Sequence, residues 1–299
     1  MPTQAIDLSR RDFLARAGTG LAGAALFLSG TERAYAYPLD GLMGLQGWDL
    51  RMFFARDVSG TLKTLAGYGY KALDIMAPGP NAEGPTAEQY RQALDAAGMV
   101  AHSGHFSATM FEDANWAPTM QTVRTLGVKE MVFSGGAPSG RRGGAPVTVD
   151  SWKAYADRLN AAARRTQTDG LQLGWHNHGE FRPIEGGGGL NPYDVLLQNT
   201  DPALVKFQFD VGNCMNAGGD PFKYLSQNPT RFFSMHVREV RDGATGLAVG
   251  EGTMDWKRIF ELAKAANIHN YDVETGAPEE TVMEKSRLSA EYLKNFPAV

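Results

Sequence analysis

The sequence predicts an α/β protein, a single (β/α)8 barrel over residues 37–299 preceded by an N-terminal signal peptide over residues 1–36. Three observations predict it. From residue 41 onward, eight short apolar runs alternate with longer segments of helical period. The part beyond residue 36 matches in size such a barrel, typically roughly 250 residues. The segment Gly41-Leu42-Met43-Gly44-Leu45-Gln46-Gly47 is not the G-x-G-x-x-G loop with which an open doubly wound sheet normally announces itself.

The first 36 residues read as an address. Ser9-Arg10-Arg11-Asp12-Phe13-Leu14 precede a Gly/Ala-rich apolar stretch over 17–29, and Ala34-Tyr35-Ala36 follows. Charged region, apolar region and A-x-A site form the order of a cleaved export signal, and paired arginines before Phe-Leu mark the twin-arginine route. The expectation is cleavage after Ala36 by way of the twin-arginine export machinery, leaving a periplasmic or secreted mature domain. An amphipathic helix that happens to carry Arg-Arg is the alternative.

The eight apolar runs lie at 41–48, 70–76, 99–105, 128–134, 171–178, 204–210, 232–237 and 270–275. Each is short, rich in Val, Ile, Leu or Phe, and closed by Gly, Pro or polar residues, as buried parallel strands are. Between them, segments 86–97, 149–168 and 256–266 carry apolar residues three and four apart. Thr86 and Thr148 supply N-cap chemistry, and Gly98 stands where a C-terminal glycine stop belongs. The glycine-rich stretches 135–144 and 186–189 read as loops after the fourth and fifth strands.

Composition bounds the function. With 43% apolar and 10% aromatic residues the chain can bury a real core. Its 29 Lys and Arg against 33 Asp and Glu, a net charge of -4, lack the basic excess of a backbone-tracking nucleic-acid binder. The single cysteine, Cys214, excludes an internal disulfide framework and any CxxC zinc site, and reads as a small buried residue. No apolar run is long enough for a persistent membrane span.

In a barrel the chemistry sits at the C-terminal ends of the strands, whose loops ring a shared mouth. There the third run ends in His102-Ser103-Gly104-His105 and the fifth in His176-Asn177-His178-Gly179-Glu180. The sixth ends in Asp210, the seventh in His236 and the eighth in Glu274. A lone residue of this kind is more often structural, but convergence over five strands points to a site. Carboxylates and imidazoles in one mouth, without thiols, suit a divalent ion such as Mn²⁺, Mg²⁺, Co²⁺ or Zn²⁺.

The segments Leu173-Gly174-Trp175-His176-Asn177-His178-Gly179-Glu180-Phe181, Gln208-Phe209-Asp210-Val211-Gly212-Asn213, Phe233-Ser234-Met235-His236-Val237-Arg238-Glu239, Val249-Gly250-Glu251-Gly252-Thr253-Met254-Asp255-Trp256 and Tyr271-Asp272-Val273-Glu274 resemble the sugar phosphate isomerase/epimerase family of xylose-isomerase-like TIM barrels. The resemblance implies a divalent metal at the mouth, with Asp210, His236 and Glu274 matching three of its ligands. The fifth strand departs from the better-known members, which place a glutamate three residues before an asparagine like Asn177; here that position is Gly174. Strand alternation sets Gly174, His176, His178 and Glu180 on one side, which nominates His176 as fourth ligand, with Glu180 and His178 as competitors.

The resemblance also implies a small carbohydrate substrate and proton abstraction beside a carbonyl, with Glu274 and Glu180 as candidate bases and His105 or His178 polarising the carbonyl. A keto-sugar or 3-keto-glycoside fits the export signal better than a phosphosugar, and isomerisation, epimerisation and elimination share this chemistry. Asn177, His178, Arg238 and His105 are candidate substrate contacts. Trp116 and Phe106 are candidates for stacking on a sugar face, against ordinary packing as the plain alternative. Arg238 has a salt bridge with Glu239 or Glu274 as its alternative, and Asp74 is placed either to orient a ligand or to touch substrate. Arg141 and Arg142 read as solvated loop charges. A homodimer is common for this kind of barrel. A metal-dependent hydrolase on the same barrel and a sugar-binding protein without catalysis are the rival functions.

Overall fold

The computed structural model describes residues 42–79, 83–140 and 144–297. The expected signal peptide, and Arg141 and Arg142, lie outside the described residues. Strands β1 (Leu42–Gln46), β2 (Ala72–Met76), β3 (Val100–Ser107), β4 (Glu130–Ser134), β5 (Gln172–His176), β6 (Val205–Asp210), β7 (Phe232–Val237) and β8 (Asn270–Val273) follow one another around a closed parallel barrel. Closure is made by β1 against β8, with Leu42 opposite Asn270 and Leu45 opposite Val273. Among the described residues the helices are α1 (Arg51–Tyr68), α2 (Ala87–Ala97), α3 (Asp113–Leu126), α4 (Val149–Thr168), α5 (Pro192–Asn199), α6 (Val211–Asn216), α7 (Pro221–Gln227), α8 (Trp256–Ala265) and α9 (Glu279–Lys294). None is long and apolar enough to cross a membrane.

The local signals act where they stand in the sequence. Thr86 and Gln89 cap α2 reciprocally: the Gln89 backbone N–H donates to the Thr86 hydroxyl at 3.3 Å, and Thr86 N–H to the Gln89 side chain at 2.8 Å. Gly98 closes the helix at φ 66°, a conformation glycine adopts without cost. Thr148 and Ser151 open α4 in the same way. Two differences matter. β5 ends at His176, so the alternation expected to carry on through His178 and Glu180 stops there. His102 lies near the start of β3 rather than at its end, because the strand runs on to Ser107; the β2–β3 register shift between Leu73 and Asp74 passes over it, pairing Leu73 with Ala101 and Asp74 with Ser103.

Two layers of packing result. Outward-facing Trp175 and Phe207 meet the helices, with Trp175 edge-on to Trp152 at 6.3 Å and Phe207 against Tyr193 at 5.3 Å. The inward layer is polar. Contacts between strands that are not neighbours run through the interior, and several polar pairs make them. His105 of β3 reaches Gln208 of β6 at 2.8 Å, His236 of β7 reaches Asp74 of β2 at 3.1 Å, and His102 of β3 reaches Asp272 of β8 at 2.7 Å. Gly44 leaves the room for that last pair, since a Cβ there would lie 2.0 Å from Asp272 Oδ1.

Candidate metal centre

At the mouth of the barrel, His176 ends β5, Asp210 ends β6, His236 is near the end of β7 and Glu274 directly follows β8. All four are buried, and one ligand atom from each lies within 4.8 Å of the others. Asp210 is fixed twice over. Its Oδ1 accepts the backbone N–H of Asn213 at 2.7 Å, as the N-cap of α6. Asn177 brackets its backbone, the amide donating to Asp210 O at 2.9 Å and the carbonyl accepting Asp210 N–H at 3.0 Å. Asn177 was a candidate substrate contact; its side chain is fully buried and spent on placing Asp210.

His236 sits among three acids. Its Nε2 donates to Asp74 Oδ2 at 3.1 Å, and its Nδ1 lies 2.7 Å from Glu274 Oε2 and 3.9 Å from Asp210 Oδ2. With the Nε2 proton committed to Asp74, a neutral ring would turn its bare Nδ1 lone pair on two carboxylates. That position calls for a proton or a cation. Burial works against charge on His236, but hydrogen bonds to Asp74 and Glu274 outweigh it and push the ring up to about 10. Burial would also raise Glu274, yet Arg238 beside it holds the carboxyl down at about 2. Burial lifts Asp210 while Arg238 pulls the other way.

His176 is the complementary case. Its Nδ1 is buried with no hydrogen-bond partner, and burial, reinforced by the neighbouring His236, keeps the ring well below its ordinary value and so neutral. A neutral imidazole with a buried unpartnered nitrogen beside two carboxylates is the donor set a divalent cation needs. The residues present therefore fit such an ion. At Gly174, where the better-known epimerases carry a glutamate, a Cβ would lie 2.6 Å from the ring of Phe233. Phe233 takes up that volume, and His176, two residues further along, is the fifth strand's member of the cluster.

The other expected site residues divide. His105 is buried beside the cluster, its ring stacked 5.9 Å from His236 and its Nε2 3.0 Å from Asp74 Oδ2. Asp74 is fully buried and holds His105, His236 and Gln208 through one oxygen while Ser103 donates to the other at 2.7 Å, which makes it an orienting group. Burial would raise its carboxyl, but the charge of His105 and hydrogen bonds from His105 and His236 hold it below the ordinary range. Arg238 pairs with Asp210 through Nε at 2.9 Å and with Glu274 through Nη2. Glu239, the other partner weighed for it, instead ties down the loop before α8 through Gly250 N–H and Trp256 Nε1. His178 is exposed, with its ring 4.6 Å from that of His176. Glu180 curls back to accept the His178 backbone N–H, and burial raises its carboxyl.

Trp116 and Phe106 take the plain alternative, packing. Trp116 lies in α3 with the Arg165 guanidinium 4.5 Å over its ring and Phe111 at 6.0 Å, a packing contact in the helical layer. Phe106 is fully buried, because it alternates with His105 and faces outward. Cys214 is buried, as expected, and burial pushes its thiol up. Two residues escaped the sequence reading. Gln208 shares Asp210's face by strand alternation, a signal that was there to use. Asp49, just after β1, accepts the Gly276 N–H at 2.7 Å; burial and then the nearby Glu274 raise its carboxyl, and nothing local in the sequence marks it.

The chain is similar to several proteins that are named for sugar chemistry. A solved sugar phosphate isomerase/epimerase from Parabacteroides distasonis superposes with a TM-score of 0.72 at 26% identity, over 86% of this chain and 97% of its own. Inosose dehydratase of Salmonella agona is 32% identical over 91 residues, which are 30% of this chain and 29% of that enzyme. Inosose dehydratase of Clostridium tetani is 22% identical over 142 residues, 42% of this chain and 46% of that enzyme. The matched segments thus span less than half of these curated relatives. The family model for the xylose isomerase-like TIM barrel matches residues 62–296. With the closed barrel and the cluster at its mouth, this match establishes that the chain belongs to the xylose isomerase-like TIM barrel family.

Proposed function

We propose that this protein is a metal-dependent sugar-modifying enzyme that moves a carbon-bound proton beside a carbonyl of a keto-sugar or related keto-polyol, with isomerisation, epimerisation or loss of water as the outcome. The observation that carries the reading is the convergence of His176, Asp210, His236 and Glu274 at the mouth, two imidazoles and two carboxylates within 4.8 Å. A divalent cation held there supplies Lewis acidity, which lowers the barrier to ionising a C–H bond next to a carbonyl.

The chain's own residues divide the remaining work. Both oxygens of Glu274 are engaged, one by His236 and one by Arg238, which suits it to holding rather than to proton transfer. Glu180 is then the proton acceptor: its raised carboxyl makes it a stronger base than an ordinary glutamate. His178, its ring held below the ordinary value by partial desolvation at the mouth, stands beside it on the rim to return or relay the proton. His105, anchored by Asp74 and Gln208, is the fixed imidazole that polarises the carbonyl. The names of the curated relatives favour loss of water as one outcome. We further propose that residues 1–36 direct twin-arginine export, so that the reaction takes place outside the cytoplasm.

The test is deuterium uptake into keto-sugars and keto-polyols in D₂O, followed by NMR with and without added Mn²⁺. Exchange next to the carbonyl that needs the metal and falls by about 10²-fold or more in Glu180→Gln is the expected result. Metal-dependent exchange that survives Glu180→Gln unchanged removes Glu180 from its role. No exchange with any such substrate contradicts the reaction class.

A further inference from the structure

We propose that Arg238 is the site's resident counter-cation: it holds Asp210 and Glu274 together in the metal-free protein and competes with the metal for them. The inference rests on the metal-centre reading above and adds a role for a residue that is not among its four ligands. Arg238 contacts both carboxylates, Asp210 through Nε at 2.9 Å and Glu274 through Nη2, and its side chain is only 18% exposed. The chain reserves a path for it. A Cβ at Gly212 would lie 2.8 Å from Arg238 Cβ and 2.7 Å from its Cγ, and one at Gly276 would lie 2.5 Å from Nη1. Gly276 has a φ of 63° and supplies that room as a residue free to adopt the left-handed region.

Two carboxylates buried this close repel each other and lose their hydration, so the fold needs a cation between them. Beside the His236 imidazole, Arg238 meets that need through two directed hydrogen bonds, which a planar guanidinium can make at once. A divalent ion brought to the same carboxylates then faces a fixed positive charge a few ångströms away, and like charges at that range repel even when partly screened. Arg238 therefore stabilises the metal-free fold and weakens metal binding. The same residue makes folding independent of metal and keeps the metal exchangeable.

The test uses the full chain as wild type, Arg238→Gln and Arg238→Lys, each freed of metal by a chelator and then dialysed. Mn²⁺ affinity is read from the electron paramagnetic resonance signal of free Mn²⁺, and thermal unfolding is followed with and without Mn²⁺. Arg238→Gln is expected to bind Mn²⁺ about tenfold or more tightly than wild type, while Arg238→Lys, which keeps the charge, stays within about threefold. Without metal, Arg238→Gln melts below wild type, and saturating Mn²⁺ closes the gap. Mn²⁺ affinity that is unchanged or weaker in Arg238→Gln, with wild type still binding, overturns the proposal and leaves the metal centre standing. A glutamine variant that stays unfolded even at saturating Mn²⁺ overturns it as well. Failure of all three proteins to bind any Mn²⁺ overturns the metal-centre reading itself, and this proposal with it.

Discussion

Asp74 Oδ2 receives His105, His236 and Gln208 at 3.0, 3.1 and 3.2 Å, so a single oxygen sets the orientation of two imidazoles. An acceptor-only carboxylate fixes the proton on His236 Nε2 and leaves Nδ1 to face Glu274 and Asp210. Asp74→Asn, which offers an amide in that place, is expected to weaken Mn²⁺ binding by about 10- to 100-fold while the barrel stays folded. Isothermal titration of the variant checks this, and an unchanged affinity would remove Asp74 from the site. Trp116 makes the opposite prediction. Its ring is packed between Phe111 and Arg165, so Trp116→Ala is expected to lower stability by about 1–3 kcal/mol and leave KM unaltered. Denaturant unfolding and steady-state kinetics of one preparation separate the two effects.

On the scale of elements, β5 is where this chain departs from its better-known relatives, and packing explains how. Phe233 fills the space beside Gly174, so the smallest side chain is the one that fits. Gly174→Ala pushes a methyl group to 2.6 Å from that ring and is expected to cost about 1–3 kcal/mol, read as a fall in the urea midpoint. Much of this architecture was legible in the sequence, because strand and helix periods differ and caps sit at fixed offsets. The Thr86 and Thr148 caps and the span of β7 follow from residues close together in the chain. The strand-end acids and histidines were legible for a related reason: a parallel barrel sends every strand end to one mouth. What escaped depends on distant partners. Asn177 looks like a substrate contact until Asp210 is seen across the strand boundary, and the pairing of His102 with Asp272 joins β3 to β8 across the barrel. Phe233 as the occupant beside Gly174 is a contact between β7 and β5 that no local pattern encodes.

The barrel as a whole is held by charge at both ends. At the base, buried Asp272 pairs with His102 at 2.7 Å, with Glu130 and Asp74 also facing that ring. Burial opposes the charge on His102, but Asp272 outweighs it and raises the imidazole to about 9. A group raised in the folded state stabilises fully below its unfolded value, about 6.5, and the contribution is lost as pH rises through the folded value. Unfolding free energy is therefore expected to fall by up to about 3 kcal/mol between pH 6 and pH 9.5 on this account. A His102→Asn variant should lose His102's share of the slope, leaving that of His236, and equal slopes in both proteins would contradict the assignment. At the mouth, His176, Asp210, His236 and Glu274 could hold a metal ion. Elemental analysis of protein purified without chelator, beside an Asp210→Ala and His236→Ala double variant, tests this most directly. The account predicts about one divalent ion per chain in the wild type and almost none in the variant. Wild-type protein without metal, even after incubation with Mn²⁺, would contradict it.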